Sequence, residues 1–421
     1  MNYRNTLAFA KKNDELDPLK SFRSLFNIPI NQEGQEQIYF CGNSLGLAPK
    51  NIDDHLNQVV LQWKNSGVES WFHGEQPWIE SHKKSKNIIA KLVGGRPNEI
   101  AIANSLSVNL HLQMLSFYKP TAQRHKIIIE ADAFPSDIYL VKSQIKYHGN
   151  RVADSFIEIQ SNYPGYPISH ENIEETIKAH GADTSVILLS GVNYGTGQVF
   201  DMESIARLGH KYGCKVGLDL AHAIGNVPLS LHEWNIDFAA WCHYKYVNAG
   251  PGSIGGMFIH TNHHDSQLPK LHGWWGNKSD TKFLMKNEFE EERGAESWVM
   301  STPSQLNMAA LYSALEIFKT TSIDALRAKS IKLTGYLIYL IDQLQDPQLE
   351  IITPLDPKER GCQLSIKVKS KGREVFKQLI QAGLICDWRE PNIIRLSPTP
   401  LYNTYEEVYR SVQILKIALQ S

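Results

Sequence analysis

The feature that most limits the fold of this chain is a series of short apolar runs between about residues 84 and 260. They read KIIIEA near residue 126, SVILLSGV near 185, KVGLDL near 215, FAAWC near 238 and GGMFIH near 255. Segments of helical length separate them, such as Met202 to Tyr212. Short continuous apolar runs are typical of strands that are buried on both faces of a sheet. The sequence therefore predicts an α/β centre with a largely parallel sheet.

A second pattern begins after Pro303. A long helical stretch extends to about Leu344, and the runs QLSIKVKS, GREVFKQLIQAG and NIIRLSP follow before a final helix. This order predicts a smaller α/β domain that packs on the first, with the long helix as the link. The length of 421 residues also suits two or three domains.

The composition excludes several classes of partner. Lys and Arg number 43 against 44 Asp and Glu, so the formal net charge of -1 gives no field that attracts nucleic acid or an anionic membrane. The N-terminus turns polar before a signal peptide could form, and no apolar run approaches the roughly 18 residues of a membrane span. We expect a soluble cytoplasmic protein that binds neither nucleic acid nor membrane.

The cysteines and histidines give no sign of a metal centre. His263 and His264 lack a third ligand at metal spacing, so we expect a solvated turn there and no metal. The five cysteines are scattered and form no CxxC pair, which argues against a disulfide framework and a structural zinc site and favours a reducing compartment. They are Cys41, Cys214, Cys242, Cys362 and Cys386.

Ligands of open α/β sheets bind beyond the carboxyl ends of the strands, and two charged residues stand at such ends. Asp219 closes the run in KVGLDLAHAIG, with His222 three residues later, and a buried acid needs a cationic or hydrogen-bonding partner. The alternative is that Asp219 caps the next helix. Lys245, in CHYKYVNAGPGSIGG, follows the next strand, and a desolvated lysine becomes a nucleophile toward aldehydes. The alternative is a solvated surface lysine.

Three further segments carry polar or aromatic side chains after strands. In ANSLSVNLHLQML, Ser105 and Ser107 stand at a helix start, whose hydroxyls and free N–H groups suit a phosphate, unless they serve only as caps. In EADAFPSDIY, Phe134 either covers one face of a flat cofactor or fills the core. LSGVNYGTGQ offers Ser190 but matches neither GxGxxG nor GxxxxGKS, which gives nucleotide cofactors little support.

Taken together, these features meet the four requirements of pyridoxal phosphate (PLP). A carboxylate such as Asp219 keeps the pyridine nitrogen protonated, and a lysine such as Lys245 carries the aldehyde. A helix start near Ser107 binds the phosphate, and Phe134 covers the ring. The glycines after Lys245 are expected to let its turn fold tightly.

The order of the motifs resembles that of the kynureninases. They are YFCGNSLGLAPK, NSLSVNLHLQMLSFYKP, AFPSD, LSGVNYGTGQ, DLAHAIGNVPL, CHYKYVNAGPGSIGG, LHGWWG and RLSPTPLYN, and they extend over residues 38 to 410. GNSLGL at 42–47 and GWWG at 273–276 separate this resemblance from aminotransferases and cysteine desulfurases in general.

The resemblance implies a homodimer of the PLP-dependent fold type I, that of aspartate aminotransferase, with active sites shared between subunits. Its large domain holds a mostly parallel seven-stranded sheet, and a smaller α/β domain follows. On this chain we expect an N-terminal segment, 1–55, packed with the small domain, a large PLP-binding domain, 56–303, and a small domain, 304–421.

The resemblance also assigns roles to residues. Lys245 would hold the cofactor covalently, Asp219 would pair with its ring nitrogen and Phe134 would stack on the ring. Further cofactor contacts would come from Leu106, Ser107, Ser136, Asp137, Ser190, His222 and Tyr244, with Trp274 and Thr302 reaching in from the partner subunit. Arg395 would clamp the α-carboxylate of the substrate. Asn43, Ser44 and Trp71 would complete the substrate site.

The implied activity is that of a PLP-dependent hydrolase, which cleaves the Cβ–Cγ bond of L-kynurenine to give anthranilate and L-alanine. Lys245 would move the α-proton, and Tyr244 would donate a proton to the β-carbon. This reaction belongs to tryptophan degradation through kynurenine and to NAD biosynthesis. Trp71 and Thr302 stand where animal forms have histidine and asparagine, so we expect 3-hydroxykynurenine to be the poorer substrate.

Two other functions stay open at this point. A cysteine desulfurase-like lyase shares the Asp, His and Lys triplet but needs a reactive cysteine on a mobile loop. Cys362 opens a predicted strand and Cys386 precedes the DWREPN turn, so neither matches that requirement well. A catalytically silent PLP-fold binding protein would be marked by loss of Lys245 or Asp219, and both are present.

Overall fold

The computed structural model of the protein describes residues 2–420, and within them the strands form sheets of seven, four and two strands. The strands are β1 (Ile38–Tyr39), β2 (Ile100–Ile102), β3 (Lys126–Glu130), β4 (Phe156–Ile159), β5 (Thr184–Ser190), β6 (Lys215–Asp219), β7 (Phe238–Cys242), β8 (Gly255–Ile259), β9 (Leu349–Ile351), β10 (Leu364–Val368), β11 (Leu384–Ile385), β12 (Asp387–Arg389) and β13 (Ile393–Leu396). The helices are α1 (Leu7–Glu15), α2 (Ile52–Ser66), α3 (Ser81–Val93), α4 (Leu106–Phe117), α5 (Pro135–Tyr147), α6 (Val152–Ser155), α7 (His170–His180), α8 (Met202–Lys211), α9 (Gln305–Phe318), α10 (Ile323–Asp342), α11 (Gly372–Gln381) and α12 (Tyr405–Gln420).

The large sheet has the strand order β2-β8-β7-β6-β5-β3-β4. β8 runs antiparallel to both of its neighbours, and the other six strands run in one direction. The prediction of a mostly parallel seven-stranded sheet is confirmed. The five apolar runs form β3, β5, β6, β7 and β8, whereas β2 and β4 are only three and four residues long and had no comparable signal in the sequence.

The prediction of one long helix after Pro303 is wrong, because α9 and α10 are separate helices. The break falls in the polar run at residues 319–322. Ser322 starts α10 as its N-cap, and its hydroxyl accepts a hydrogen bond from Ala325 N at 3.1 Å. A capping side chain of this kind ends one helical path and starts the next.

Residues 2–420 form three hydrophobic cores. Two of them cover opposite faces of the seven-stranded sheet: one includes Leu311 of α9 and Leu326 of α10, and the other includes residues of α4 and α5. The third core surrounds the four-stranded antiparallel sheet and includes Leu333 and later residues of α10. The change between cores therefore occurs inside α10. Part of the N-terminal region joins the core around the four-stranded sheet, because α1 packs on α12 and β1 pairs with β11, whereas residues such as Phe26 belong to the core of the large sheet.

The parallel strands bring their carboxyl ends to one side of the large sheet, which we call the carboxyl edge. Glu130, Ser190, Asp219 and Cys242 end the four neighbouring strands β3, β5, β6 and β7 there. The opposite side, where those strands begin, is called the amino edge. Among residues 2–420, no helix combines the length and apolar character that crossing a membrane requires.

Candidate active site

A cleft of about 150 Å³ lies at the carboxyl edge. Predicted site residues from five separate chain segments form much of its lining. They are Leu106, Ser107, Phe134, Ser136, Asp137, Ser190, Asp219, His222, Tyr244 and Lys245. The sheet explains this convergence, because neighbouring parallel strands end side by side and the chain leaves each of them at the same edge.

Lys245 reaches into this cleft from a tight turn beyond β7. Its Nζ lies 3.0 Å from His222 Nε2 and 5.9 Å from the centre of the Phe134 ring. The predicted use of glycine in this turn agrees with the backbone, since Gly250 and Gly252 have φ of 88° and 65°. The loop 42–47 packs against the same turn, where a Cβ on Gly46 would lie 2.3 Å from the Lys245 carbonyl oxygen.

His222 is a buried, neutral partner of this lysine. Burial, reinforced by the Lys245 ammonium, holds the pKa of His222 well below its ordinary value. Its Nε2 faces Lys245, and its Nδ1 is buried without a hydrogen-bond partner among residues 2–420. Buried polar atoms are rarely left unpaired in native proteins. A polar ligand in the cleft would explain this one.

Asp219 is the acid at the centre of the site. Its Oδ1 accepts a hydrogen bond from Ala221 N at 2.7 Å, and its side chain also shares a hydrogen bond with Asp137. Burial and the Asp219 carboxylate raise the pKa of Asp137 well above its ordinary value, so Asp137 is the donor of this pair. Only turns follow Asp219 at residues 221–226, so the alternative of a helix cap does not apply.

Two helices begin at the cleft and direct backbone N–H groups toward it. α4 starts at Leu106, and its N-cap residue Ser105 makes no side-chain capping bond. α5 starts at Pro135, and the Ser107 and Ser136 hydroxyls lie 2.8 Å apart between the two helix starts. Free N–H groups and the helix dipole favour an anion at such a place.

Sequence reasoning missed two residues that belong to this site. Glu130 ends β3 and is 1% exposed, and both of its carboxylate oxygens accept from Ser190 N at 3.2 Å. The sequence did carry a signal, since Glu130 closes the run KIIIEA as Asp219 closes KVGLD. Tyr194 also lines the cleft, with its ring edge-on to Phe134 at 5.2 Å.

Arg395 lies beside the cleft in a buried network of its own. Its Nε donates to Asp387 Oδ1 at 2.7 Å, and its Nη2 bonds both Asp387 Oδ2 and Ser44 Oγ. Its Nη1 donates at 2.7 Å to the carbonyl oxygen of Tyr194, which lines the cleft. Burial opposes ionisation of Asp387, but the Arg395 guanidinium holds its pKa below the ordinary value. Asp387 had no signal in the sequence.

The remaining predicted substrate and partner residues do not line this cleft. Asn43 is buried and donates to Gln363 Oε1 at 3.0 Å. Trp71 packs edge-on against Trp78 and Trp275. Two residues face outward, and they are Trp274, which is 43% exposed, and Thr302.

The cysteines lack the features of a desulfurase nucleophile. Cys362 is buried next to β10, and burial raises the pKa of its thiol to about 11. Cys386 is buried between β11 and β12, and burial raises the pKa of its thiol as well. A reactive cysteine needs access and a lowered pKa. The desulfurase alternative is therefore not favoured.

The amino edge holds a second polar cluster. Glu99, His232 and His260 offer potential ligand atoms within 4.8 Å of one another. The two rings stack in parallel at 4.8 Å, and both nitrogens of His260 are already engaged, by Asn262 N and the His232 carbonyl oxygen. The predicted solvated turn at His263 is wrong, since His263 is buried and bonds Asp237 Oδ1 at 2.7 Å.

Comparison with known proteins gives close relatives over nearly the full length. A kynureninase from Koribacter versatilis is 48% identical over 412 residues, covering 98% of this chain and 97% of the relative. A kynureninase from Flavobacterium psychrophilum is 44% identical over 420 residues, covering 99% of both chains. The family model of the kynureninase C-terminal domain matches residues 326–415.

Solved structures share the fold at lower identity. The cysteine desulfurase CsdA from Escherichia coli superposes with a TM-score of 0.78 at 16% identity, covering 96% of this chain and 98% of that chain. At this identity the likeness shows the fold alone, and it agrees with the predicted fold type I.

Proposed function

The chain belongs to the kynureninase family, and from this premise we propose that it hydrolyses L-kynurenine to anthranilate and L-alanine with PLP as its cofactor. The observation that carries the proposal is the cleft itself. Within it, a lysine, a strand-end aspartate and two helix starts converge on one space.

The donor set of the cleft fits PLP. The amine of Lys245 suits an aldehyde, and the carboxylate of Asp219 suits a protonated ring nitrogen. The starts of α4 and α5 suit the phosphate. The unpaired Nδ1 of His222 adds a polar atom that a ligand would satisfy. When bound, PLP supplies an electron sink that stabilises negative charge at the α-carbon of the substrate.

Lys245 is the base of the proposed reaction. Its Nζ would hold the aldehyde of the cofactor, and the free amine would take and return the proton of the substrate α-carbon. The neutral imidazole of His222 lies 3.0 Å away and gives the amine a partner without adding positive charge. The rings of Phe134 and Tyr244 lie about 6 Å from Nζ, so the amine faces aromatic surface on two sides.

Tyr244 is the proposed acid toward the β-carbon. Burial raises the pKa of the Tyr244 phenol, so the group stays protonated at neutral pH. It lies in the cleft next to Lys245 in the chain. A protonated phenol at this point has a proton to give after the Cβ–Cγ bond has broken.

Arg395 is the proposed partner of the substrate α-carboxylate. Four of its hydrogen bonds already go to Asp387, Ser44 and the Tyr194 carbonyl oxygen. Asp387 accepts from Nε and from Nη2, which fixes the orientation of the guanidinium group. Nη1 and the second Nη2 proton are bonded to neutral acceptors, the Tyr194 carbonyl oxygen and the Ser44 hydroxyl. A carboxylate exchanges for those neutral acceptors because charge-assisted bidentate bonds are stronger.

We also propose a homodimer in which Trp274 and Thr302 complete the site of the partner subunit. The exposed aromatic side chains Phe72, Trp274 and Phe283 pack on one another and support an interface there. The five unpaired cysteines support a reducing, cytoplasmic location. The reaction would serve tryptophan degradation through kynurenine, and in that setting NAD biosynthesis.

Substrate choice follows from Trp71 and Thr302. Neither residue offers the imidazole and amide found at these places in animal forms, so kynurenine should exceed 3-hydroxykynurenine in kcat/KM. Comparable values of kcat/KM for the two substrates would refute this preference.

One assay tests the proposed function. Purified protein with PLP should show absorbance near ~420 nm and release fluorescent anthranilate from L-kynurenine. Lys245→Ala should do neither. Sulfide release from L-cysteine without anthranilate would support the lyase alternative, and absence of PLP absorbance would overturn the cofactor assignment.

A further inference from the structure

Glu130 is a fully buried carboxyl group directly behind Ser190, which lines the cleft, and the proposed reaction gives Glu130 no role. It ends β3 and bonds a single residue, Ser190, through both the backbone N–H and the hydroxyl. Among residues 2–420, no Lys, Arg or His side chain forms an ion pair with it. A buried carboxylate without a cation is costly, so a structural role alone explains it poorly.

The charged groups around Glu130 are mostly acids. Asp219 on β6 is the register partner of Ser190 and raises the pKa of Glu130. The charge of Glu130 also helps to raise the pKa of Asp137 on α5, after burial and Asp219. The Lys245 ammonium acts in the opposite direction on the pKa of both Asp137 and Asp219. On β4 the register partner of Glu130 is the apolar Ile159. Three buried carboxyl groups near one ammonium cannot all be ionised at once.

The Ser190 hydroxyl connects Glu130 to the cleft. It lies 2.5 Å from Glu130 Oε1, and Ser190 also lines the cleft. When Glu130 is ionised, its oxygens only accept, so the Ser190 hydroxyl donates its proton to Glu130. The Ser190 oxygen can then only accept a hydrogen bond from a group in the cleft. When Glu130 is protonated, it donates to Ser190 Oγ, and the Ser190 proton is free to point into the cleft.

We propose that Glu130 is a positioning residue that sets whether the Ser190 hydroxyl donates or accepts a hydrogen bond in the cofactor cleft. This inference rests on the proposed function, because the cleft is taken to hold PLP. Burial raises the pKa of Glu130 to about 7, so the direction of the Ser190 hydroxyl changes near neutral pH.

The test uses the visible spectrum of bound PLP rather than activity. In the wild-type holoenzyme, the absorbance near ~420 nm should change with pH, with an inflection near 7. Glu130→Gln should lose this inflection and hold the low-pH spectrum throughout, because an amide donates to Ser190 Oγ at every pH. Ser190→Ala should also lose it.

A double-mutant cycle separates positioning from structure. If Glu130 acts through Ser190, Glu130→Gln changes the spectrum of the wild type but adds nothing in the Ser190→Ala background. A spectral change of equal size in both backgrounds would overturn the proposal. Glu99→Gln is the matched control, since Glu99 is equally buried but lies at the amino edge. Its pH-dependent spectrum should match that of the wild type.

The outcomes also separate this proposal from the function on which it rests. A protein that binds PLP and hydrolyses kynurenine, but whose inflection survives Glu130→Gln, would overturn the role of Glu130 alone. A protein that binds no PLP would overturn both.

Discussion

The two edges of the large sheet both hold buried carboxyl groups but treat their charge in opposite ways. At the amino edge, Asp237 accepts hydrogen bonds from His210 Nε2 and His263 Nε2 at 2.7 Å and from Lys215 Nζ at 3.0 Å. Val216 N adds a fourth at 2.8 Å. Burial acts against ionisation, but these partners hold the pKa of Asp237 well below its ordinary value.

The carboxyl edge shows the reverse. Glu130, Asp137 and Asp219 are as buried as Asp237, yet the pKa of each is raised, and burial is the largest cause in every case. Their hydrogen bonds come from one another, from Ser190 and from backbone N–H groups.

The difference shows that equally buried acids can have raised or lowered pKa values, depending on their hydrogen-bond and charge partners. Asp237 has four such partners and a structural role. Among residues 2–420, the acids of the carboxyl edge form no ion pair and have only the Lys245 ammonium nearby, so a positively charged ligand group would find unpaired acids there. Perturbed acids in a cleft are a general mark of functional sites, and here the same sheet provides the structural comparison.

The largest expected effect comes from exchanging one lysine at each edge. Lys245→Ala should lower kcat for anthranilate release by at least about 10⁴-fold, because it removes both the nucleophile and the base. Lys215→Ala should leave kcat unchanged and cost less than about 1 kcal/mol in stability, since that lysine is partly exposed. Steady-state kinetics would measure kcat of both variants, and urea unfolding would measure their stability. A large loss of kcat in Lys215→Ala would contradict the assignment of catalysis to the carboxyl edge alone.

A pair of aspartate variants should separate stability from activity. Asp237→Asn should lower the free energy of unfolding by about 3–5 kcal/mol, because the buried carboxylate that accepts from His210, Lys215 and His263 loses its charge and one acceptor oxygen, and kcat per PLP-loaded molecule should be unchanged. Asp219→Asn should lower kcat by about 10²–10³-fold, as loss of one preorganised electrostatic contact does, with little loss of stability.

Urea unfolding and kcat normalised to bound PLP would test this aspartate pair. Equal losses of stability in the two variants would contradict the division between the edges.

Sequence reasoning found the carboxyl edge better than the amino edge, for a physical reason. Strand ends are marked by apolar runs, so Asp219 and Lys245 could be assigned to one edge before the fold was known. Glu130 carries the same mark at the end of the run KIIIEA. At the amino edge, His210, His232 and His263 have no shared spacing, because only the topology brings them together.

The small domain shows the same limit. Arg395 was assigned through family resemblance, but its partner Asp387 was not. The two residues are opposed across the antiparallel pair β12 and β13, and this register is not visible in the sequence. The break between α9 and α10 was missed because apolar spacing continues on both sides of the polar run that separates them.

The smallest expected effect is a difference in how the two edges respond to pH. The pKa of Glu130 in the folded protein, about 7, lies above that of an unfolded glutamate, so the folded state binds more protons between roughly pH 4.5 and 7. Its contribution to stability is therefore full below that window and is lost as the pH rises through 7, by up to about 3 kcal/mol.

Asp237 has the opposite sign, because its pKa is lowered. Its contribution is present above the unfolded pKa and is lost only in strong acid. The free energy of unfolding of Glu130→Gln relative to wild type should consequently rise between pH 5 and 8, whereas the Asp237 carboxylate stays ionised over that range. Urea unfolding across this range measures the slope for Glu130→Gln. A level difference for Glu130→Gln would mean that Glu130 is already ionised at pH 5, and the two edges would then hold their acids in the same charge state.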